Sequence, residues 1–91
     1  MIKDNEISIA VIGLGYVGLP LAIEFSKKYP VIGYDLNDDR INNLKKGYDK
    51  TGEVNFKNLN KSKNLVLSSK PSSIKKATIY IITVLYGRIN C

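Results

Sequence analysis

Three glycines and one acid are the residues whose spacing most suggests chemistry. Gly13-Leu14-Gly15-Tyr16-Val17-Gly18 is a G-x-G-x-x-G pattern, and Asp35 lies 20 residues beyond Gly15. That offset is expected when the pattern follows a strand, opens a helix, and the acid ends the next strand. Each residue type has a physical reason. Gly13 allows a tight turn out of the strand. Gly15 lacks a Cβ, so a pyrophosphate can approach the backbone. Gly18 lets the helix pack close to the sheet. The free N–H groups and positive end of that helix would then face the phosphates. Asp35 can accept hydrogen bonds from both ribose hydroxyls of an adenosine. A carboxylate there repels a 2′-phosphate, so the expected cofactor is NAD rather than NADP. Arg40 lies five residues on, and two places are open to it: beside the adenosine, or solvated on the second helix. Tyr16 and Val17 are counted with the candidate cofactor-binding residues of the turn, although their types more often pack than bind; a cover over the cofactor is the role open to Tyr16.

Seven glycines can produce such a pattern by chance, so the flanking elements carry the argument. Ile7-Ser8-Ile9-Ala10-Val11-Ile12 is apolar at nearly every position, as expected of a strand covered on both faces. From Tyr16 to Lys28, Val17, Leu21, Ala22 and Phe25 recur at helical spacing. Pro20 falls early enough to be tolerated in a first turn, and Pro30 enforces the stop. Val31-Ile32-Gly33-Tyr34-Asp35 reads as a second strand. Asn37 or Asp38 caps a second helix with Ile41 and Leu44 on one face. Lys45 and Lys46 suit its C-terminal end, and Gly47 suits the position past it. Residues 48–64 show no clean period and read as a loop. Leu65-Val66-Leu67 is a third strand, Pro71 starts a brief helix with Ile74 and Ala77 inward, and Ile79 to Val84 is a fourth strand.

This β-α-β-α-loop-β-α-β alternation implies an α/β fold: a partial Rossmann-type, doubly wound parallel sheet with flanking helices. Right-handed crossovers predict the spatial order 3-2-1-4. Strand 2 is taken to neighbour strand 1 on one side and strand 4 on the other. The 91 residues suit a single domain over 1–91, below the usual span of roughly 100–200 residues.

Composition narrows the function classes. There is no histidine, so imidazole acid–base chemistry and imidazole metal ligation are excluded. A lone cysteine, Cys91, excludes an internal disulfide framework and reads as an exposed terminal thiol. No metal site is expected. Fourteen basic residues against eight acidic give a net charge of +6, concentrated between residues 38 and 76. The lysines there (Lys45, Lys46, Lys50, Lys57, Lys61, Lys63) are scattered with few aromatics, so a solvated face is expected rather than a nucleic-acid site. Residues 7–23 carry no charge, but Gly13, Gly15, Gly18 and Pro20 interrupt the run and Met1 to Glu6 is not a basic leader. No membrane segment is expected, and the protein is read as cytoplasmic.

The phrase Gly13-Leu14-Gly15-Tyr16-Val17-Gly18-Leu19-Pro20-Leu21-Ala22 closely resembles the start of the UDP-glucose/GDP-mannose dehydrogenase family. Val31 to Asp35, Arg40-Ile41 and Tyr80 to Val84 match further blocks in order, and the resemblance covers residues 7–84. Gly47-Tyr48-Asp49-Lys50-Thr51-Gly52-Glu53-Val54 looks like the G-x-D-x-T-x-E-V of the branch acting on UDP-N-acetylhexosamines. A 3-hydroxyacid dehydrogenase shares the glycine turn, but neither L-P-L-A nor this block. The resemblance implies an NAD-dependent enzyme oxidising the C6 hydroxymethyl of a nucleotide sugar to a carboxylate, for surface polysaccharide synthesis. By position it implies cofactor contacts at Gly13, Gly15, Gly18, Asp35 and Arg40, and places Thr83 near the cofactor.

The family continues after T-V with P-T-P, whereas this chain reads Leu85 to Cys91 as a divergent tail. A truncated or frameshifted gene, or an incomplete stretch of one, is the expectation. The family's catalytic cysteine, lysine, asparagine and acids lie downstream, so no catalytic residue is assigned. The chain alone is expected to lack turnover and to bind NAD weakly. A nucleotide-sugar partner is expected only for a full-length enzyme. A non-catalytic remnant that folds and self-associates is the alternative. The uncharged, β-prone edge 79–84 predicts a homo-oligomer, by edge pairing or exchange of elements.

Overall fold

The computed structural model describes residues 3–49 and 64–83. A 3-10 turn at Asp4–Glu6 leads into β1 (Ile9–Ile12), α1 (Gly18–Ser26), β2 (Val31–Tyr34), α2 (Asp38–Lys45), β3 (Leu65–Ser68), a 3-10 turn at Pro71–Ile74, and β4 (Ile79–Ile82). The four strands form one parallel sheet in the order β3-β2-β1-β4, as the alternation of elements predicts. One neighbour is corrected. β2 lies between β3 and β1, and β4 pairs with β1, because the chain reverses its winding direction only after β3. Residues 50–63 of the loop expected over 48–64, most of the Gly47–Val54 block, Val84 and the 85–91 tail lie outside the described residues.

Alternation along the strands builds the core. Ile9 and Val11 of β1 and Val31 of β2 face the helices and meet Leu19, Ala22 and Ile23 of α1 and Ile41 and Leu44 of α2. Fully burying each of the valine, leucine and isoleucine side chains is worth about 1.5–3 kcal/mol. Ala10 is also fully buried, although its neighbours in sequence take the helix-facing side. β4 is more open, with Ile79, Tyr80 and Ile82 exposed at one edge of the sheet.

Local chemistry sets the ends of the elements. Asn37 is the cap of α2; its side-chain oxygen accepts from the N–H groups of Asp39 and Arg40 at 2.9 and 3.2 Å. Gly47 closes α2 with a positive φ of 88°. Its N–H donates to the Leu44 carbonyl and that of Tyr48 to Asn43, which satisfies two orphan carbonyls at the helix end. α1 begins two residues later than its hydrophobic spacing suggests, at Gly18. The brief helix expected from Pro71 is a single 3-10 turn with no buried residue, and Ile74 and Ala77 are only half-buried. Four residues cannot form an amphipathic face, and the Tyr80 hydroxyl donates to the Ile74 carbonyl at 2.6 Å where the turn ends. Among the described residues, no helix is long and apolar enough to cross a membrane.

Candidate functional site

Sheet register brings the singled-out residues to one edge. Ile12 of β1 aligns with Tyr34 of β2 and with Ile82 of β4. Gly13, Asp35 and Thr83 are each the next residue in the chain, so all three emerge side by side at the C-terminal ends of adjacent strands. This is where the winding direction switches, the usual ligand crevice of an open α/β sheet.

Packing explains two of the glycines. Gly13 has φ +96°, a region that side chains rarely adopt. Its N–H donates to the Tyr34 carbonyl at 2.8 Å. Its carbonyl accepts from the Thr83 hydroxyl at 2.7 Å, and that hydroxyl also reaches the Ile12 carbonyl at 3.3 Å. A Cβ on Gly18 would overlap the Gly13 carbonyl oxygen and stand 2.7 Å from Thr83 Oγ1. The first turn of α1 therefore rests directly on the end of β1, and Thr83 ties that junction to β4.

The turn leaves donors unused. Among the described residues, the N–H groups of Gly15, Tyr16, Val17 and Gly18 form no hydrogen bond. The N-cap of α1 is Val17, which has no side-chain oxygen to satisfy them. Tyr16 and Val17 are 51% and 56% exposed. The expectation that they pack is corrected: the helix starts after them, so both stand on the open turn rather than on a helical face.

Asp35 points into the same corner. Its Oδ2 accepts from the Leu14 N–H and its Oδ1 from the Asn37 N–H, each at 2.9 Å. Each oxygen keeps a further lone pair. Arg40 is not solvated, which corrects that alternative. It is 7% exposed, and Nε donates to the Leu14 carbonyl at 2.8 Å. Its Nη1 pairs with Asp49 Oδ1 at 2.7 Å, and Nη2 is buried without a partner. Arg40 stands four residues before Leu44, so it shares the inward face of α2; that spacing is the signal that could have found its burial. Asp49 entered the sequence analysis only as the acid of the G-x-D-x-T-x-E-V block, with no role, and nothing local to it announces a partner nine positions back.

The arrangement fits a dinucleotide. A row of unpaired N–H groups opens α1 beside side-chain-free backbone, and a carboxylate ends the adjacent strand. Together they can hold a diphosphate and a ribose diol.

Fold and corner thus define a dinucleotide-binding domain of the doubly wound α/β class. Residues 7–85 match the UDP-glucose/GDP-mannose dehydrogenase family, NAD binding domain, and the chain belongs to that family. NAD is accordingly its cofactor. The chain is 48% identical over 84 residues to UDP-N-acetyl-D-glucosamine 6-dehydrogenase of Salmonella typhi, covering 92% of this chain and 20% of that protein. It is 41% identical over 94 residues to UDP-N-acetyl-D-mannosamine dehydrogenase of Methanococcus vannielii, covering 98% and 21%. Among solved structures, the UDP-D-ManNAc dehydrogenase of Pyrococcus horikoshii superposes with a TM-score of 0.77 at 32% identity, covering 86% of this chain and 20% of that one. These likenesses support the hexosamine branch. The chain spans about a fifth of the length of the curated relatives it matches.

Proposed function

We propose that this chain supplies the adenosine-diphosphate half of an NAD site for an enzyme that oxidises the C6 hydroxymethyl of a UDP-sugar to a carboxylate. The substrate class we assign is a UDP-N-acetylhexosamine, with UDP-glucose as the alternative, and the product serves surface polysaccharide synthesis. The observation that carries this reading is the set of unpaired N–H groups over Gly15–Gly18 next to Asp35. In it, Gly13 and Gly18 shape the turn, Gly15 admits the diphosphate, and Asp35 takes the ribose hydroxyls. Tyr16 and Val17 border the bound dinucleotide. Arg40 and Thr83 hold the turn. NAD is preferred over NADP because a 2′-phosphate would meet the Asp35 carboxylate. We place the protein in the cytoplasm, where a lone cysteine stays reduced.

On its own the chain binds without turnover. Oxidation at C6 needs a sugar site and a nucleophile within reach, and residues that only orient a dinucleotide supply neither. Calorimetric titration with NAD and NADP tests the reading. Weak NAD binding, weaker NADP binding and loss of both in Gly15→Val are expected. No heat and no thermal stabilisation at millimolar NAD would count against it. A second reading, a non-catalytic domain that folds and self-associates, draws on the exposed Ile79 and Ile82 of edge strand β4.

A further inference from the structure

Asp49 belongs to no part of the glycine pattern, yet its side chain is 0% exposed and paired with Arg40 at 2.7 Å. The same guanidinium donates from Nε to the Leu14 carbonyl at 2.8 Å. Leu14 sits between the first two glycines of the turn. Its N–H is already held by Asp35 at 2.9 Å. Both polar groups of this one residue are therefore fixed from outside, one by the acid of β2 and the other by the guanidinium of α2. Gly47 makes this possible. Its left-handed backbone ends α2 and sends the chain back toward Arg40.

Burying an ion pair is not an economical way to fill space, since desolvation opposes the attraction and apolar side chains of similar volume often do as well or better. Arg40 even leaves Nη2 buried and unpaired. What the pair provides is direction: a guanidinium is a rigid planar fork, and Asp49 fixes the rotation at which Nε meets Leu14.

We propose that Asp49 is a positioning residue for dinucleotide affinity: through Arg40 it orients the Leu14 carbonyl, and so aims the N–H groups of Gly15–Gly18 at the diphosphate. This rests on the reading of the corner as an NAD site. Asp49 itself touches no cofactor in this account.

The test is the double variant Arg40→Met/Asp49→Leu in the whole chain, followed by two readouts. One is amide hydrogen exchange at Leu14 by NMR, which needs no ligand. The other is calorimetric titration with NAD. Loss of one oriented hydrogen bond corresponds to about tenfold in an equilibrium. The expected result is cooperative unfolding as in the unmodified chain, Leu14 exchange faster by about tenfold, and an NAD Kd raised by about tenfold. Asp49→Asn keeps an acceptor oxygen for Nη1 and is expected to preserve most of both. A folded double variant with unchanged Leu14 exchange and unchanged Kd overturns the proposal, as does an Asp49→Asn loss as large as that of the double variant. Should the double variant not fold, Arg40→Lys decides, because an ammonium cannot serve Leu14 and Asp49 as a fork does; unchanged exchange and Kd there also overturn it. If the unmodified chain binds no NAD, the cofactor reading fails by itself, and Leu14 exchange still decides the brace.

Discussion

Gly18→Ala tests whether the corner is built by backbone contact. A methyl group at Gly18 would overlap the Gly13 carbonyl oxygen and lie 2.7 Å from Thr83 Oγ1 and 2.8 Å from the Gly13 carbonyl carbon. Backbone cannot rotate away, so α1 must lift from the sheet or the turn must open. Overpacking of this kind costs about 1–3 kcal/mol. Opening the turn also loses the 2.7 Å bond from Thr83 to Gly13, worth about 1 kcal/mol. The better helix propensity of alanine offsets up to about 1 kcal/mol. The net loss is about 1–3 kcal/mol, which lowers Tm by about 4–24 °C in a domain of this size. Thermal melts followed by far-ultraviolet circular dichroism measure it. Gly33→Ala is the comparison. Its Cβ would meet only the tips of Leu14 and Leu67 at 3.2 Å, and those can give way, so a change within about 1 kcal/mol is expected. A Gly18→Ala melt within about 3 °C of the unmodified chain, or equal shifts at both glycines, would refute the packing argument.

Thr83→Val keeps the side-chain shape but deletes the hydroxyl bonds to Gly13 and Ile12; a Tm lower by about 4–8 °C is expected from about 1 kcal/mol lost. Asn37→Ala removes the acceptor for two N–H groups of α2, and urea unfolding should report a loss of about 1 kcal/mol. Sedimentation equilibrium should show concentration-dependent dimers or larger species through the β4 edge; a strictly monomeric profile at high concentration would defeat that expectation.

The sheet was legible because its strands are short apolar runs separated by glycine, proline and helix-capping residues, and local chemistry of this kind survives in the sequence. Asn37 and Gly47 act at the ends of α2 as their residue types dictate. The Pro71 turn was over-read because proline marks where a helix can start, not how far it continues. Tyr16 and Val17 were over-read for a related reason: hydrophobic spacing extended the helix back through a turn that the glycines keep open. The placement of the glycines and Asp35 at one corner was legible because their spacing follows from the β-α-β geometry. The Arg40–Asp49 pair was not. It joins a helix face to a segment beyond a left-handed glycine, and its third member is a main-chain carbonyl, which has no signature in residue identity.

The Thr83 hydroxyl completes a turn that was laid down 70 positions earlier. During synthesis, residues 13–18 leave the ribosome long before their latch does. The junction of β1 and α1 lacks this bond until β4 is in place. Contacts between such distant positions delay folding, because a long loop must close before they reward it. A nascent chain stopped short of β4 would carry the glycine signature without the bond that ties its turn to the sheet.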